Sequence, residues 1–280
     1  MTNSERRKAF NKALRKAIAD YENQTAESLL ALNAILNSAR EQIVFRLRRS
    51  PSDYDLYLLP ALEAQIGAIM TGVSRQSVSV AQQALASGWL AGELIVDAPL
   101  SAAGVAINGI APAIDTRQLL ALQHVTTNKI QGVTSAMATN INTQLGLVMM
   151  GVQSSDTAVT VITNILDETD RGRALGILRT EISRANSIAS HLRKLSAATV
   201  VPGMQKQWRR SGRKHPRASH SFADGQVQDM DKPFMIGGVP MMHPHDPAAP
   251  IGEVINCGCQ ALPYMKSWTM SRPGAIEDAT

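Results

Sequence analysis

The 280-residue chain contains only two cysteines and 4% aromatic residues. Cys257 and Cys259 are one residue apart, so a disulfide between them would be strained, and the pair excludes the disulfide framework of a small secreted domain. We therefore expect a reducing compartment. Because aromatics are few while Ala and Leu are abundant, the composition favours helices over a β-sandwich.

Long apolar runs are also missing, and the basic N-terminus is not followed by the apolar stretch of a signal peptide. The segment 98–114 is rich in Ala, Gly and Ile but contains Pro99 and Pro112, so it is a poor candidate for a bilayer-spanning helix. We expect it to be a connector, with membrane contact as an open alternative. The 28 basic and 23 acidic side chains give a net charge of +5, which permits contact with nucleic acid without requiring it.

Helical spacing of apolar residues dominates the first part of the chain. From Phe10 to Leu47 these residues recur in steps of three and four, and the pattern breaks at Ser50. Two more helical runs lie within 58–85, and Gly88 is expected to end the second, since Gly and Pro become frequent there.

A long helix is predicted from Thr116 to Met150, with Asp115 or Thr116 as its cap. Its apolar stripe consists of Leu119, Leu122, Thr126, Ile130, Val133, Met137, Ile141, Leu145 and Val148. Small or uncharged polar residues flank that stripe, which is typical of a helix that packs on other protein surfaces. An ordinary bundle helix accounts for this pattern more often; the sharper hypothesis, which we carry forward, is a docking element.

Near Thr199 the composition changes, because the remaining chain holds most of the prolines and both cysteines. The sequence predicts a mainly α fold, with a helical N-terminal region followed by a small α+β, loop-rich C-terminal domain. The expected segments are a helical region 1–97, a flexible connector 98–114, a docking region 115–168, a C-terminal domain 169–265 and a tail 266–280.

A colinear set of residues runs through the C-terminal part of the chain, from about 170 to 264. Its members are Arg179, Thr180, Glu181, Asn186, Trp208, Arg217, His220, Asp224, Gly225, Phe234, His243, Pro244, Asn256, Cys257 and Cys259. In order and spacing they resemble the C-terminal domain of the phage minor head protein, or head morphogenesis, family, which includes the F-like protein of Mu-type phages. Gly258 stands where that family usually has Arg.

The resemblance implies a structural, non-enzymatic virion protein. Such a protein is associated with the portal inside the phage head, assists head assembly and genome packaging or delivery, and is assembled in the host cytoplasm. The implied partners are the portal protein or the major capsid protein, together with packaged double-stranded DNA bound without sequence preference. No small-molecule substrate is expected. The alternative function is a nucleic-acid-binding module, with or without zinc, that has no virion role.

The cysteines and histidines of this part allow two interpretations. Cys257, Cys259, His220 and His243 supply the two sulfurs and two nitrogens of a tetrahedral zinc site. The usual zinc knuckle has two to four residues between its cysteines, however, so the spacing here favours packing of both thiols in a small core. In that case no cofactor is bound, and the histidines are partly exposed hydrogen-bonding residues.

Basic residues are concentrated in the same region, namely Lys206, Arg209, Arg210, Arg213, Lys214 and Arg217. Such a run can contact DNA phosphates in a salt-sensitive manner, and a solvated loop is the alternative. Motifs for catalysis are missing: the chain has no nucleophile elbow, phosphate-binding glycine loop or paired-carboxylate motif. We therefore expect no enzymatic activity, and we interpret Arg179 and Glu181 as helix-surface or interdomain ion-pair partners.

Overall fold

The computed structural model describes residues 1–49, 59–107, 109–212 and 216–266. It confirms a mainly helical fold with a small sheet-containing C-terminal part. The helices are α1 (Asn3–Arg49), α2 (Leu59–Ala102), α3 (Arg117–Met149), α4 (Ser155–Asn164), α5 (Asp170–Ala198), α6 (Ala218–Phe222) and α7 (Ile251–Val254). The strands are β1 (Met204–Arg209), β2 (Val227–Gln228), β3 (Phe234–Ile236), β4 (Val239–Met241) and β5 (Gln260–Met265). A single π-helical turn, Ile165–Thr169, joins α4 to α5.

Two compact units make up the chain, and neither is continuous in sequence. Unit 1 contains 1–25, 84–122 and the chain from Thr180 onwards, while unit 2 contains 26–83 and 123–179. The four long helices each contribute residues to both units. For this reason the units do not coincide with the linear segments expected from the sequence.

The small sheet belongs to unit 1. Strand β1 lies between β2 and β5 and pairs antiparallel with both, so that Trp208 faces Ala261 across the ladder. Strands β3 and β4 form a separate hairpin. Its turn is Gly237 and Gly238, both at positive φ, which glycine adopts without a Cβ clash and which suits the twist of a two-residue hairpin.

Helix α2 continues through the region where a break was predicted at Gly88. The reason is packing in unit 1: at Gly88 and Gly92 the α2 backbone runs directly against α5. A Cβ on Gly88 would lie 3.1 Å from the Ile182 carbonyl oxygen, and one on Gly92 would lie 2.9 Å from the Ala189 Cβ. These glycines therefore permit close contact between helices rather than ending one.

Residues 98–114 differ from the expected flexible connector. The first of them complete α2, and Leu100, Ala103, Ile107 and Ala111 are buried in the core of unit 1. From α5, the Arg193 guanidinium donates to Asp97 at 2.6 Å and to the Pro112 carbonyl at 3.2 Å. Because both ends of this segment are tied to α5 and Ala103 and Ala111 are buried, the segment packs as part of unit 1. In the described parts of the chain, no helix is both long and apolar enough to span a membrane.

Helix α3 begins beside the predicted cap: the Arg117 amide donates to the Asp115 carboxylate at 2.8 Å. The central part of its predicted stripe is confirmed, because Thr126, Ile130, Val133, Met137, Ile141 and Leu145 are buried. Ile130 and Met137 lie inside unit 2, so an acidic substitution there would disrupt the unit itself. Any docking surface of α3 has to be sought at exposed positions such as Leu120.

We expect Gly92→Ala to destabilise the protein by about 1–3 kcal/mol, because the added Cβ meets the α5 backbone, including the Ser190 nitrogen at 3.0 Å. Gly72→Ala on the same helix is the matched control, since no atom lies within 4 Å of its Cβ position. The control should be neutral or stabilising by up to about 1 kcal/mol through helix propensity. Urea unfolding of both variants measures the difference; equal stability would contradict the close packing.

Candidate metal centre

His220 lies in the middle of the short helix α6, against the sheet of unit 1. Its ring stands at 89° to the indole of Trp208, with centroids 5.8 Å apart. Trp208 in turn contacts Phe234 of β3, at a centroid distance of 5.4 Å. His220 is thus buried against the Trp208 indole, whereas the packing interpretation of the sequence expected a partly exposed histidine.

The two cysteines lie between α7 and β5, where Cys257 and Cys259 pack against the same aromatic core. Asn256, just before them, has φ 52, and its amide donates to the Thr180 hydroxyl of α5 at 3.2 Å. The Cys259 amide donates to the Cys257 sulfur at 3.4 Å. These contacts turn both thiols towards His220 and are made by residues of the motif that carries the family resemblance.

His220 and the two thiols have the spacing of metal ligands. The His220 Nδ1 lies 3.2 Å from the Cys259 sulfur and 3.5 Å from the Cys257 sulfur, and all three ligand atoms lie within 4.8 Å of one another. Zinc bonds of about 2.3 Å to sulfur and 2.0–2.1 Å to nitrogen place tetrahedral neighbours about 3.5 Å apart. The three atoms fit a tetrahedral ion of this size.

Glu253 of α7 fixes the orientation of the His220 ring. The ring Nε2–H donates to the Glu253 carboxylate at 2.8 Å, and the Ser219 hydroxyl donates to the same oxygen at 3.1 Å. With its Nε2 committed to Glu253, His220 directs Nδ1 at the sulfurs. Metal-binding histidines in proteins are commonly held by a carboxylate in this way.

Charge at the site concentrates on one sulfur. The hydrogen bond from the Cys259 thiol lowers the pKa of Cys257 against the effect of burial, and the His220 and His245 rings lower it further. The same hydrogen bond, together with burial, raises the pKa of Cys259. Burial lowers the pKa of His220, but Cys257 and Glu253 outweigh it, so the net shift is upward. A thiolate at Cys257 is the form that binds metal.

His243, the fourth ligand expected from the sequence, is not part of this cluster. Its ring lies 5.0 Å from that of His191 on α5, and its Nδ1 contacts the Pro244 carbonyl at 2.8 Å. His245 instead reaches the cysteine loop, where its Nε2–H donates to the Cys257 carbonyl at 3.1 Å. The two histidines are only two residues apart, and the turn between them, with His245 at φ 62, sends their rings to different places.

A second buried polar cluster surrounds His191. The Lys194 Nζ, fully buried, donates to the Ser190 hydroxyl at 2.6 Å and to the Ala261 carbonyl at 2.7 Å. The Lys206 side chain of β1 contacts the Met242 carbonyl at 2.9 Å. Burial lowers the pKa of Lys206 to about 8 and that of His191 to about 2. Because burial disfavours the charged forms of these groups, the cluster connects α5 to the sheet by hydrogen bonds rather than by ion pairs.

The described residues of the predicted DNA-binding run do not all lie on one exposed surface. Lys206 is fully buried, which corrects its assignment to a DNA-facing patch. Arg217 donates to the Ile255 carbonyl at 2.7 Å, and the Arg210 amide donates to the Asp224 carboxylate at 2.9 Å. Residues 213 and 214 lie outside the described part of the chain. Of the run, Arg209 and Arg210 line a cleft of about 260 Å³ together with Arg15 and Glu22.

Other residues of the colinear set make hydrogen bonds that stabilise the fold of unit 1. The side-chain amide of Asn186 donates to the Gly88 carbonyl at 3.3 Å, at the α2–α5 contact. Gly225 has φ 85, as expected for a turn after Asp224, and its amide donates to the Trp208 carbonyl at 2.8 Å. Glu181 is buried and accepts from Arg184 at 2.7 Å, which corrects its expected helix-surface position.

Sequence reasoning missed Glu253 and Lys194. Glu253 is separated from His220 by more than thirty residues and belongs to no metal or catalytic motif, so no local signal marks it. Lys194 has the residue type and spacing of a helix-surface lysine. Only the fold shows that both side chains make hydrogen bonds inside unit 1, Glu253 with His220 and Lys194 with the Ala261 carbonyl.

The chain of thiol, imidazole and carboxylate also has the connectivity of a nucleophile, its base and an orienting group. Reactive cysteines are partly accessible, however, whereas Cys257 and Cys259 are 2% and 4% exposed. Burial therefore favours a structural role, in metal binding or packing, over attack on a substrate.

We expect the free energy of unfolding to decline as the pH falls below 6.5, the ordinary pKa of histidine. Below that pH the unfolded chain protonates His191, while the folded chain resists protonation until its pKa of about 2. His220 does not add to this decline, since its pKa is raised and its contribution is lost only at higher pH. His191→Asn should make the decline shallower in urea titrations across this range, whereas His124→Gln, at an exposed histidine, should not. Identical slopes in both variants would contradict the burial of His191.

The chain matches none of the protein-family models, curated proteins or solved structures with which it was compared. Its assignment therefore depends on the residues that its own fold brings together.

Proposed function

We propose that this chain is a structural, non-enzymatic protein of a phage head that associates with the portal inside the capsid. The observation that supports the proposal is the convergence of the colinear motif residues on one folded core. Thr180 binds the Asn256 amide, Trp208 packs on His220 and Phe234, and His220 contacts both cysteines. These residues are spread over about eighty positions of the chain, yet they contact one another in one core. Such convergence is expected if the motif belongs to a single folded domain.

Exposed apolar residues supply a surface for a protein partner. Leu90 and Leu94 lie one turn apart on α2 and are 61% and 53% exposed, while Leu120 of α3 is 62% exposed. All three belong to unit 1. An exposed apolar surface is a common feature of protein–protein contacts. Within the proposal, these leucines contact the portal.

Paired substitution of Leu90 and Leu94 by Asp should abolish co-purification with the portal protein of the same phage and remove the protein from particles. Exposed residues tolerate this change, so unfolding in urea should remain within about 0.5 kcal/mol of the parent. Leu30→Asp is the control, because Leu30 is equally exposed but belongs to unit 2. Mass spectrometry of purified particles measures incorporation; absence of the parent protein from particles would refute the head-protein proposal.

DNA is the second proposed partner, through the cleft of Arg15, Arg209 and Arg210. Burial lowers the pKa of Arg209, with the Arg15 charge acting in the same direction and Asp224 and Glu22 opposing. The Arg209 Nη1 is buried and has no hydrogen-bond partner among the described residues. A phosphate oxygen supplies the acceptor that this nitrogen lacks.

Replacing both Arg15 and Arg210 by Glu should flatten the salt dependence of binding to duplex DNA of arbitrary sequence. Each lost phosphate contact reduces the slope of log K against log salt by about 0.9. Lys232→Glu serves as a control for the charge change, since Lys232 is exposed beside Asp231 and away from the cleft lining. Fluorescence anisotropy at several salt concentrations gives the slopes. An unchanged slope in the double variant would exclude the cleft as the DNA contact.

A further inference from the structure

The cluster of Cys257, Cys259 and His220 provides three ligands, whereas a structural zinc ion takes four. If the fourth position is left to water, the ion is of the catalytic type. If a protein side chain fills it, the ion is structural and closed. The identity of the fourth group therefore decides what the site does.

We propose that the site is a closed Cys2His2 zinc centre in which His245, not His243, is the fourth ligand. His245 is fully buried, and its Nε2–H donates to the Cys257 carbonyl at 3.1 Å. With the proton on Nε2, the lone pair is on Nδ1. That atom is buried and has no hydrogen-bond partner among the described residues. A buried nitrogen with an unused lone pair beside a cysteine ligand is the feature that a metal ion would satisfy.

The two histidines are held in the same manner. In His220 the Nε2–H is bound by the Glu253 carboxylate, and in His245 it is bound by the Cys257 carbonyl. Each imidazole thus has an outer hydrogen bond on Nε2 and leaves Nδ1 for the ion, as metal-ligating histidines do. The contact of His245 Nε2 with the Cys257 carbonyl also places the imidazole beside this cysteine.

Other side chains near the site that could supply a ligand atom already make hydrogen bonds. The two Asp246 oxygens accept from the Met242 and Ala248 amides, at 2.8 and 2.9 Å. His243 Nδ1 contacts the Pro244 carbonyl, and Glu253 binds the opposite nitrogen of the His220 ring. Among these neighbours, His245 alone has an uncommitted buried lone pair. Its ring lies outside the group whose ligand atoms are all within 4.8 Å, so binding the ion draws the imidazole towards the thiols.

Two sulfurs and two nitrogens form a donor set that suits zinc. On binding, each cysteine still carrying a proton releases it to solvent and bonds to Zn²⁺ as thiolate. No oxidation or reduction is involved. Because all four ligands come from the protein, the ion stabilises the loop around Cys257 and leaves no position for a substrate.

The experiment uses the full chain, purified with zinc and then stripped and reloaded with Co²⁺. Elemental analysis should find about one zinc per chain. The Co²⁺ form should show the intense visible bands of a tetrahedral ion and a near-ultraviolet band from thiolate ligation. Loss of zinc to a chelator should lower the melting temperature.

Three variants identify the fourth ligand. His245→Asn suits the backbone, since Asn tolerates φ near 62, and it should weaken zinc binding by more than about 100-fold. His243→Asn is the matched control two residues away and should keep the parent affinity and Co²⁺ spectrum. His245→Cys should retain a tetrahedral Co²⁺ spectrum with a stronger thiolate band, which shows ligation at position 245 even if the Asn variant folds poorly.

Parent-like affinity and spectrum in His245→Asn would overturn the proposal, as would a parent protein without zinc. Loss of zinc in His243→Asn, with binding kept in His245→Asn, would assign the fourth position to His243 instead. The assignment is independent of the role in the phage head: particle incorporation is measured separately and does not depend on which residue closes the site.

Discussion

The close approach of α5 to α2 is the constraint on which unit 1 depends. At Gly88 and Gly92 helix α2 has no side chain, so its backbone lies directly against α5, and the Asn186 side-chain amide donates to the Gly88 carbonyl across the contact. From this position α5 holds other parts of the unit: Lys194 binds the β5 backbone, and Thr180 binds the amide of Asn256. Displacing α5 by the width of one methyl group would therefore disturb the sheet and the cysteine loop together.

Several ionisable side chains are buried in unit 1, among them Lys194, Lys206 and His191, and they are stabilised by hydrogen bonds more than by charge. Burial lowers the pKa of both Lys194 and His191, so neutral forms are favoured there. Around Cys257 the opposite holds, since neighbouring donors favour the thiolate. In unit 1, burial thus disfavours positive charge on Lys194 and His191, whereas the surroundings of Cys257 favour a negatively charged thiolate. Only the cysteine site is suited to bind a cation.

Part of the fold and of the site follows from particular residues in the sequence. Apolar steps of three and four predict α1 and the buried stripe of α3, because a helix exposes the same face every 3.6 residues. At Gly88 the predicted helix end is wrong for a physical reason. Glycine both weakens a helix and permits close packing of two helices, and the residues around it in sequence do not show which of these effects applies. The donor types of Cys257, Cys259 and His220 belong to one chemistry and indicate a common site from the sequence alone; the fold brings the three side chains together, and metal binding by them stays a prediction.

By itself, the sequence determined the helical class, the change in character near residue 199 and three of the residues at the site. Only the tertiary structure decided that the units are discontinuous, that Lys206 is buried and that His245 approaches Cys257 while His243 packs on His191. Periodicity and residue chemistry are local properties and can be read along the chain. Which of two histidines in one loop contacts the cysteine backbone depends on backbone angles, and these are set by contacts with elements distant in sequence.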